Sequence, residues 1–185
     1  SIIEDAEIAV DAQSGSQFNI DDAEFQRNFI GIHASDGDFS SSSVENTTFG
    51  CLNTSGTAQA YSLKEPHASP AERSRFHIHL EDVTNFNIGS VGNSNNFAGA
   101  DNGVFGRFCH QITLEDNNFD DFTENTNTGL VRTGIAARFE GFDPISLPQN
   151  ASLRVIGGLI IFDTNNFTDC EGGIAVYNEG FEAQH

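Results

Sequence analysis

The residues whose types and spacing are best suited to chemistry are two histidines separated by one residue, in His77-Ile78-His79. Alternate side chains of an extended strand lie on the same face, so the two imidazoles are expected side by side, as in a metal pair or a catalytic pocket. Glu81 is close in sequence and completes the set of catalytic candidates: His77, His79 and Glu81. The simpler alternative is the wet face of a strand that buries Ile78 and Leu80.

Acidic residues recur in one short pattern, which is the second chemical signal. Each copy has an apolar residue, an acid and usually a polar residue, and Phe or Ile follows about five positions after the first. If the copies stack, their first acids line up on one edge; these are Glu4, Asp21, Glu45, Glu81, Glu115 and Asp163. Carboxylates ~5 Å apart repel by roughly 1 kcal/mol in a water-like dielectric. The row is therefore either a solvated acidic face or a site for a divalent cation, above all Ca²⁺.

Asp120 and Asp121 extend the predicted set of Ca²⁺ ligands beyond this row, in an acidic stretch that also holds Glu124. The sequence has neither an EF-hand loop nor the glycine-rich nonapeptide array of calcium-binding repeats. The calcium signal therefore comes from composition, and no motif requires a cofactor.

The charge balance excludes several classes of partner. The 185-residue chain carries 27 acidic and 8 basic side chains, for a net charge of −19. So few cations cannot form the basic stripe that binds nucleic acid, and the charge disfavours an anionic membrane surface. No run of ~18 apolar residues could span a membrane. Met is absent, even at position 1, which indicates a processed chain or a piece of a longer one.

Cys51, Cys109 and Cys170 occur singly, without the paired spacing of a zinc site. We favour the interpretation that these cysteines are small buried residues of the core. Whether any two of the three form a disulfide is left open.

Very short strands separated by polar corners are the predicted local structure. A small and an aliphatic residue follow the Phe of several copies, as in Gly31-Ile32, Gly103-Val104 and Gly173-Ile174. Asn-rich steps such as Asn165-Asn166-Phe167 favour turns and strands over helix. A period of about 22–24 residues is typical of a solenoid, in which stacked turns bury one continuous column. We expect an internal ladder of Phe and Ile, and corner Asn residues that adopt left-handed angles and hydrogen-bond to neighbouring turns.

The sequence thus predicts an all-β chain that forms one solenoid segment over residues 1–185, with about six turns. Three stretches do not fit the period and are predicted as inserted loops, at about 52–74, 120–133 and 137–151. Loops on a rigid scaffold often carry recognition.

Several of these pieces together resemble a known family. They are Ala23-Glu24-Phe25 with Gly31-Ile32, the run from Leu80 to Gly89, and Asn165-Asn166-Phe167 with Gly173-Ile174. The chain resembles the right-handed parallel β-helix of the pectin-lyase-like kind, and more narrowly the β-helix repeats of very large secreted surface proteins of Bacteroidota. The resemblance implies a right-handed solenoid, export, and an extracellular or cell-surface location. It carries little information on function, because one fold hosts many functions.

Two functions follow as expectations. The first is a non-catalytic structural or adhesive segment, a rigid rod whose partners are other copies or segments of a larger surface assembly, or a cell-surface glycan or protein. The alternative is a polysaccharide lyase or hydrolase, which needs acids and a basic residue clustered in a groove. Its basic candidates, which nothing in the sequence brings together, are Arg107, Arg132, Arg138 and Arg154.

Overall fold

A computed structural model describes residues 1–52, 58–59, 76–100, 102–120, 122, 135–141 and 160–177. The described residues form an all-β structure. Its strands are β1 (Ile2–Glu4), β2 (Ile8–Gln13), β3 (Asn19–Asp21), β4 (Glu24–Gln26), β5 (Ile30–Asp38), β6 (Ser43–Glu45), β7 (Thr48–Phe49), β8 (Cys51–Leu52), β9 (Ala58–Gln59), β10 (Phe76–Ile88), β11 (Asn96–Ala98), β12 (Asn102–Arg107), β13 (His110–Glu115), β14 (Asn118–Asp120), β15 (Ile135–Glu140), β16 (Ile160–Asp163), β17 (Asn166–Thr168) and β18 (Gly172–Tyr177).

Two parallel sheets contain all of these strands except β8 and β9, which pair antiparallel. The first sheet has the order β1-β4-β7-β11-β14-β17, so the chain adds one strand each time it returns. The second sheet has two bands, β2-β5-β10-β12-β15-β18 and β3-β6-β10-β13-β16, which share the long strand β10. Hydrogen-bonded neighbours in adjacent segments are 21 to 25 residues apart at several places along the chain. This arrangement is compatible with a parallel β-helix.

A column of phenylalanine rings runs through the first sheet. Its five rings come from Phe25, Phe49, Phe97, Phe119 and Phe167, which are in register on neighbouring strands. Successive ring centroids lie 4.9, 4.8, 4.7 and 5.1 Å apart, with interplanar angles of 12° or less. The strand spacing of ~4.8 Å sets this repeat. The predicted ladder is confirmed at these positions.

Phe86, which the sequence pattern assigns to the same ladder, lies elsewhere. Its ring packs 5.6 Å from Phe18 and 6.1 Å from Phe39, inside the second sheet. The copy that begins at Leu80 is therefore out of phase with the four copies whose Phe lies in the column, and its segment of the stack contributes Phe97 to the column instead.

The recurring small residue before an aliphatic residue has a steric cause. A Cβ on Gly31 would lie 3.2 Å from Cε1 of Phe49, and one on Gly103 would lie 2.9 Å from Cε1 of Phe119. The flat rings therefore rest on glycine backbone. The aliphatic residues that follow, Ile32 and Val104, are completely buried.

The left-handed corners explain why the acidic pattern recurs. The third residue of each copy has a φ between 48° and 60°; these residues are Asp5, Asp22, Asn46, Asp82, Asp116 and Thr164. Asp and Asn tolerate this conformation better than other residues with a Cβ. The pattern thus marks a left-handed corner, but it does so at more than one place around the stack.

Asparagine side chains connect neighbouring segments, as predicted, and one of them, Asn117, directly follows a left-handed corner. Asn117 Nδ2 donates to the carbonyl of Ile88 (2.8 Å) and to Oδ1 of Asn165 (2.9 Å). Asn95 Nδ2 donates in the same way to the carbonyl of Val44 (2.7 Å) and to Oδ1 of Asn117 (2.9 Å). The left-handed angle belongs to the preceding residue, Asp116 in the case of Asn117.

The predicted loop at 137–151 begins too early. Residues 137–140 belong to β15, where Ala137 and Phe139 are buried and Phe139 packs edge-on against Phe162 at 5.9 Å. Burial of these side chains keeps the segment in the sheet. The loop at 120–133 likewise overlaps the last residue of β14, Asp120. The remainder of both loops, and most of 52–74, lie outside the described residues.

Thr164 is β-branched and adopts φ 52°, a conformation that costs an L-residue roughly 1–2 kcal/mol. Replacing it by Asn should raise the free energy of unfolding by about 1 kcal/mol, measured by urea denaturation. Thr168→Asn, in the extended strand β17, is the matched control and should change stability by less than about 0.5 kcal/mol. Equal effects of the two substitutions would contradict this account of the corner.

Phe97 has ring neighbours on both sides and is fully buried. Phe97→Ala should lower the free energy of unfolding by about 3–5 kcal/mol, because it removes a large core side chain and leaves a cavity. Phe167→Ala, at the partly buried last ring of the column, should cost less than half as much. The column is not the principal support if the two variants lose the same stability in chemical denaturation.

Candidate functional site

The two histidines of the predicted pair are not side by side. His77 is buried in the core, where its ring lies 5.6 Å from Phe49 and 6.2 Å from Phe97. His79 packs 5.2 Å from His33 and 5.3 Å from Phe105, so the two imidazoles share no ring neighbour. The prediction is wrong because Phe76, His77 and Ile78 are buried in succession, which breaks the alternation expected of a flat strand. The geometry does not assemble His77, His79 and Glu81 into one catalytic group.

His77 has the environment of a structural residue. Its Nε2 donates to the carbonyl of Ala98 at 2.9 Å. Burial lowers the pKa of His77 from 6.5 to about 4, and the bond to Ala98 opposes that change. The imidazole is therefore neutral at pH 7, and its one ring N–H donates a hydrogen bond to a backbone carbonyl.

His33, which has no other histidine close to it in the sequence, has a partner on a neighbouring strand. Asp11, His33 and His79 occupy one register position on β2, β5 and β10, and the same row continues to Phe105 and Arg138. Asp11 Oδ1 lies 2.8 Å from His33 Nδ1. A signal for this row does exist in the sequence, because each member follows an aliphatic or small core residue, as in Ile32-His33 and Ile78-His79.

Two of the four arginines considered for an enzyme come together on one carboxylate. Glu140 pairs with Arg138 through Oε1, and its Oε2 lies 3.5 Å from Nη2 of Arg107. The Arg138 guanidinium also stacks over the Tyr177 ring at 4.8 Å. Glu140 thus offsets one of the two positive charges, and the ring stacks on Arg138, which is the chemistry of a structural ion pair. Arg132 and Arg154 lie outside the described residues.

The predicted single row of six acids is wrong. Asp21 pairs in register with Glu45, and Glu115 pairs with Asp163. Gly89, which follows the Ile88 paired with both Val44 and Leu114, separates the two pairs. The remaining two acids lie in other rows: Glu4 is opposite Gln26 in the first sheet, and Glu81 is opposite Ser35 and Arg107. The acids fall into different rows because the acidic pattern marks left-handed corners at more than one place around the stack.

Two carboxylates at or next to a left-handed corner accept hydrogen bonds from a neighbouring segment. Asp116 Oδ2 accepts from the backbone N–H of Gly92 (2.9 Å) and from Ser94 Oγ (3.3 Å). Glu45 Oε1 accepts from Ser90 Oγ at 2.9 Å. These bonds hold the turn at residues 89–94 against the stack and give the acids a structural role.

Within the described ranges, no group of three His, Cys, Asp or Glu side chains is placed to hold a metal ion. Asp120 ends β14, and Asp121 lies outside those ranges. Binding of Ca²⁺ by Glu4, Asp21, Glu45, Glu81, Glu115, Asp163, Asp120 and Asp121 therefore stays a prediction.

Cys109 and Cys170 are free thiols. Burial raises the pKa of Cys109 to about 12, and burial also raises that of Cys170. Neither thiol is activated as a nucleophile, since the thiolate is the reactive form.

Comparison with known proteins does not add a family to this geometry. No protein-family model matches the chain, and neither the curated proteins nor the solved structures yield a significant match. Among the residues that can be described, there is no helix with the length and apolar character needed to cross a membrane. The class that the structure defines is an all-β protein of stacked parallel sheets.

The buried, neutral His77 makes the stability of the fold depend on pH. Its pKa is about 4 in the folded chain and 6.5 when unfolded, so the unfolded state binds more protons between these values. Stability should therefore be complete above pH 6.5 and fall by up to about 3 kcal/mol as the pH drops towards 4.

Urea denaturation from pH 4.5 to 7 measures this loss. His77→Gln should show a smaller fall in stability than the unmodified chain, whereas His110→Gln, a change at an exposed residue, should not alter the slope. Parallel slopes for all three proteins would rule out His77 as the source.

Proposed function

We propose that the chain is a non-catalytic structural segment of a surface or filament protein, which provides a stiff rod on which exposed segments make adhesive contacts. The observation that supports this most directly is the continuous column of five stacked Phe rings, with in-register parallel strands around it. In such a stack each segment contacts mainly its neighbours, so stiffness and stability accumulate along one axis.

The finer form of the proposal is a right-handed parallel β-helix of about six turns. The predicted loops at about 52–74, 120–133 and 137–151 would project from it as contact elements. An extracellular or cell-surface location belongs to the same proposal.

Exposed apolar side chains on the outermost described strands favour partners that continue the stack. Ile2 and Ile8, on β1 and β2, are 64% and 38% exposed, and Ile174 and Val176 on β18 are 42% and 59% exposed. The edges of a sheet also present backbone groups that can pair with another strand. Other copies or other segments of a larger assembly would cover both kinds of surface.

The polysaccharide-processing alternative receives no specific support from the described residues. His77 donates to a backbone carbonyl inside the core, away from His79. Arg107 and Arg138 share the carboxylate of Glu140. We therefore retain the structural proposal alone.

Single-molecule force spectroscopy tests the mechanical part of this proposal. The chain, pulled between its termini, should resist extension, and Phe97→Ala should lower its unfolding force. Val91→Ala, at a side chain that is 77% exposed, is the control and should leave that force unchanged. Equal forces for all three proteins would contradict a rod supported by the ring column.

The non-catalytic part is tested by incubating the purified chain with acidic and neutral polysaccharides. No reducing ends and no unsaturated uronates should accumulate over time. Sustained product formation, proportional to protein concentration, would overturn the proposal in favour of an enzyme.

A further inference from the structure

An open groove of about 290 Å³ crosses neighbouring strands of the second sheet. Its lining residues are Ser40, Asn85, Asn87, Gln111, Thr113 and Ile161. They come from the turn before β6 and from β10, β13 and β16, which are neighbours in the sheet. The lining therefore presents side chains at the ~4.8 Å spacing of adjacent strands.

None of the lining side chains is ionisable, in a chain whose net charge is −19. Beside the groove lies the carboxylate of Asp38, which accepts from Asn85 Nδ2 at 3.0 Å and from the backbone N–H of Ser40 at 2.9 Å. The bond from Asn85, followed by that from Ser40, lowers the pKa of Asp38, so its carboxylate is negatively charged at neutral pH. An anionic ligand would be repelled here, whereas a neutral one would not.

The groove offers both donors and acceptors. Asn87 and Gln111 each carry an amide with two N–H donors and an accepting oxygen, and Thr113 adds a hydroxyl. Asn87 is in register with Thr113, and Thr113 with Ile161, so two polar positions and one apolar position lie in a line across the strands. In such a line, Asn87 and Thr113 can hydrogen-bond to the hydroxyls of a ligand, and Ile161 can pack against its C–H surface.

The backbone beneath the groove is held in a fixed conformation. Asn85 and Gln111 both adopt left-handed angles, with φ of 57° and 56°. They lie within β10 and β13, each of which is paired with a strand on both sides. A ligand would therefore meet side chains that project from a rigid base, which reduces the entropy lost on binding.

We propose that this groove binds a neutral, hydroxyl-rich ligand, namely a segment of an uncharged glycan lying across the strands β10, β13 and β16. This rests on the proposed adhesive function and assigns that function a contact site and a ligand class.

The experiment is an NMR titration of the full ¹⁵N-labelled chain with cellohexaose, mannohexaose and xylohexaose, and with hexagalacturonate as the charged counterpart. At least one neutral probe should shift the side-chain amide signals of Asn87 and Gln111, with a Kd on the order of 0.1–1 mM, as weak polar contacts give. Asn87→Ala and Thr113→Val should each weaken that binding about tenfold. Ser40→Trp, at the rim, should block the groove without a change in the core.

Asn166→Ala is the matched control, because Asn166 is an exposed amide in the other sheet. It should bind the neutral probe as the unmodified chain does. The proposal is overturned if no neutral probe shifts the groove amides, if hexagalacturonate binds more tightly, or if the groove variants bind unchanged. It is equally overturned if only an uncharged peptide of similar length produces the shifts.

Beads coated with the same variants separate failure of the groove from failure of the adhesive function. Suppose that beads coated with the unmodified chain stay attached to cell surfaces under flow, and that beads coated with the groove variants stay attached equally well. The groove proposal then fails and the adhesive function stands. If beads carrying any of the proteins detach like uncoated ones, adhesion itself fails.

Discussion

Stacking of equivalent side chains at the strand spacing is the interaction on which the rest of this structure depends. The five Phe rings lie 4.7 to 5.1 Å apart in nearly parallel planes. A slip of one residue in any strand would turn its ring out of the column, so the rings hold each segment in register with the next. That register then places every other row, including the glycines under the rings and the Asn bonds between segments.

The excess of acid becomes intelligible within this register. A left-handed corner favours Asp or Asn, and a carboxylate there can accept hydrogen bonds from the next segment, as that of Asp116 does from Gly92 and Ser94. Part of the negative charge is thus a consequence of building many sharp corners. Repulsion within the row is also reduced where Gly89 separates the pair Asp21–Glu45 from the pair Glu115–Asp163.

Much of the architecture could be predicted because it rests on local chemistry repeated along the chain. The Phe column, the Gly-aliphatic steps and the Asn bonds each depend on a residue type that only a few alternatives can replace. The phase of the copies was harder to predict, since the same three residue types form corners at more than one place. That ambiguity misplaced Phe86 in the ladder and Glu4 and Glu81 in the acidic row.

The sequence by itself determined that the described structure is all-β, that most of its strands are short, and that its segments repeat over distances in the low twenties. It did so because each short segment contains both polar residues that favour corners and apolar residues that favour the core, and the two kinds can be told apart by residue type. Only the tertiary structure decided which distant residues meet. His33 and His79 are neighbours although they are far apart in the sequence, and His77 faces the core although His79 does not. These outcomes depend on register between segments and on a local break in strand alternation, and neither is encoded in the spacing of any one segment.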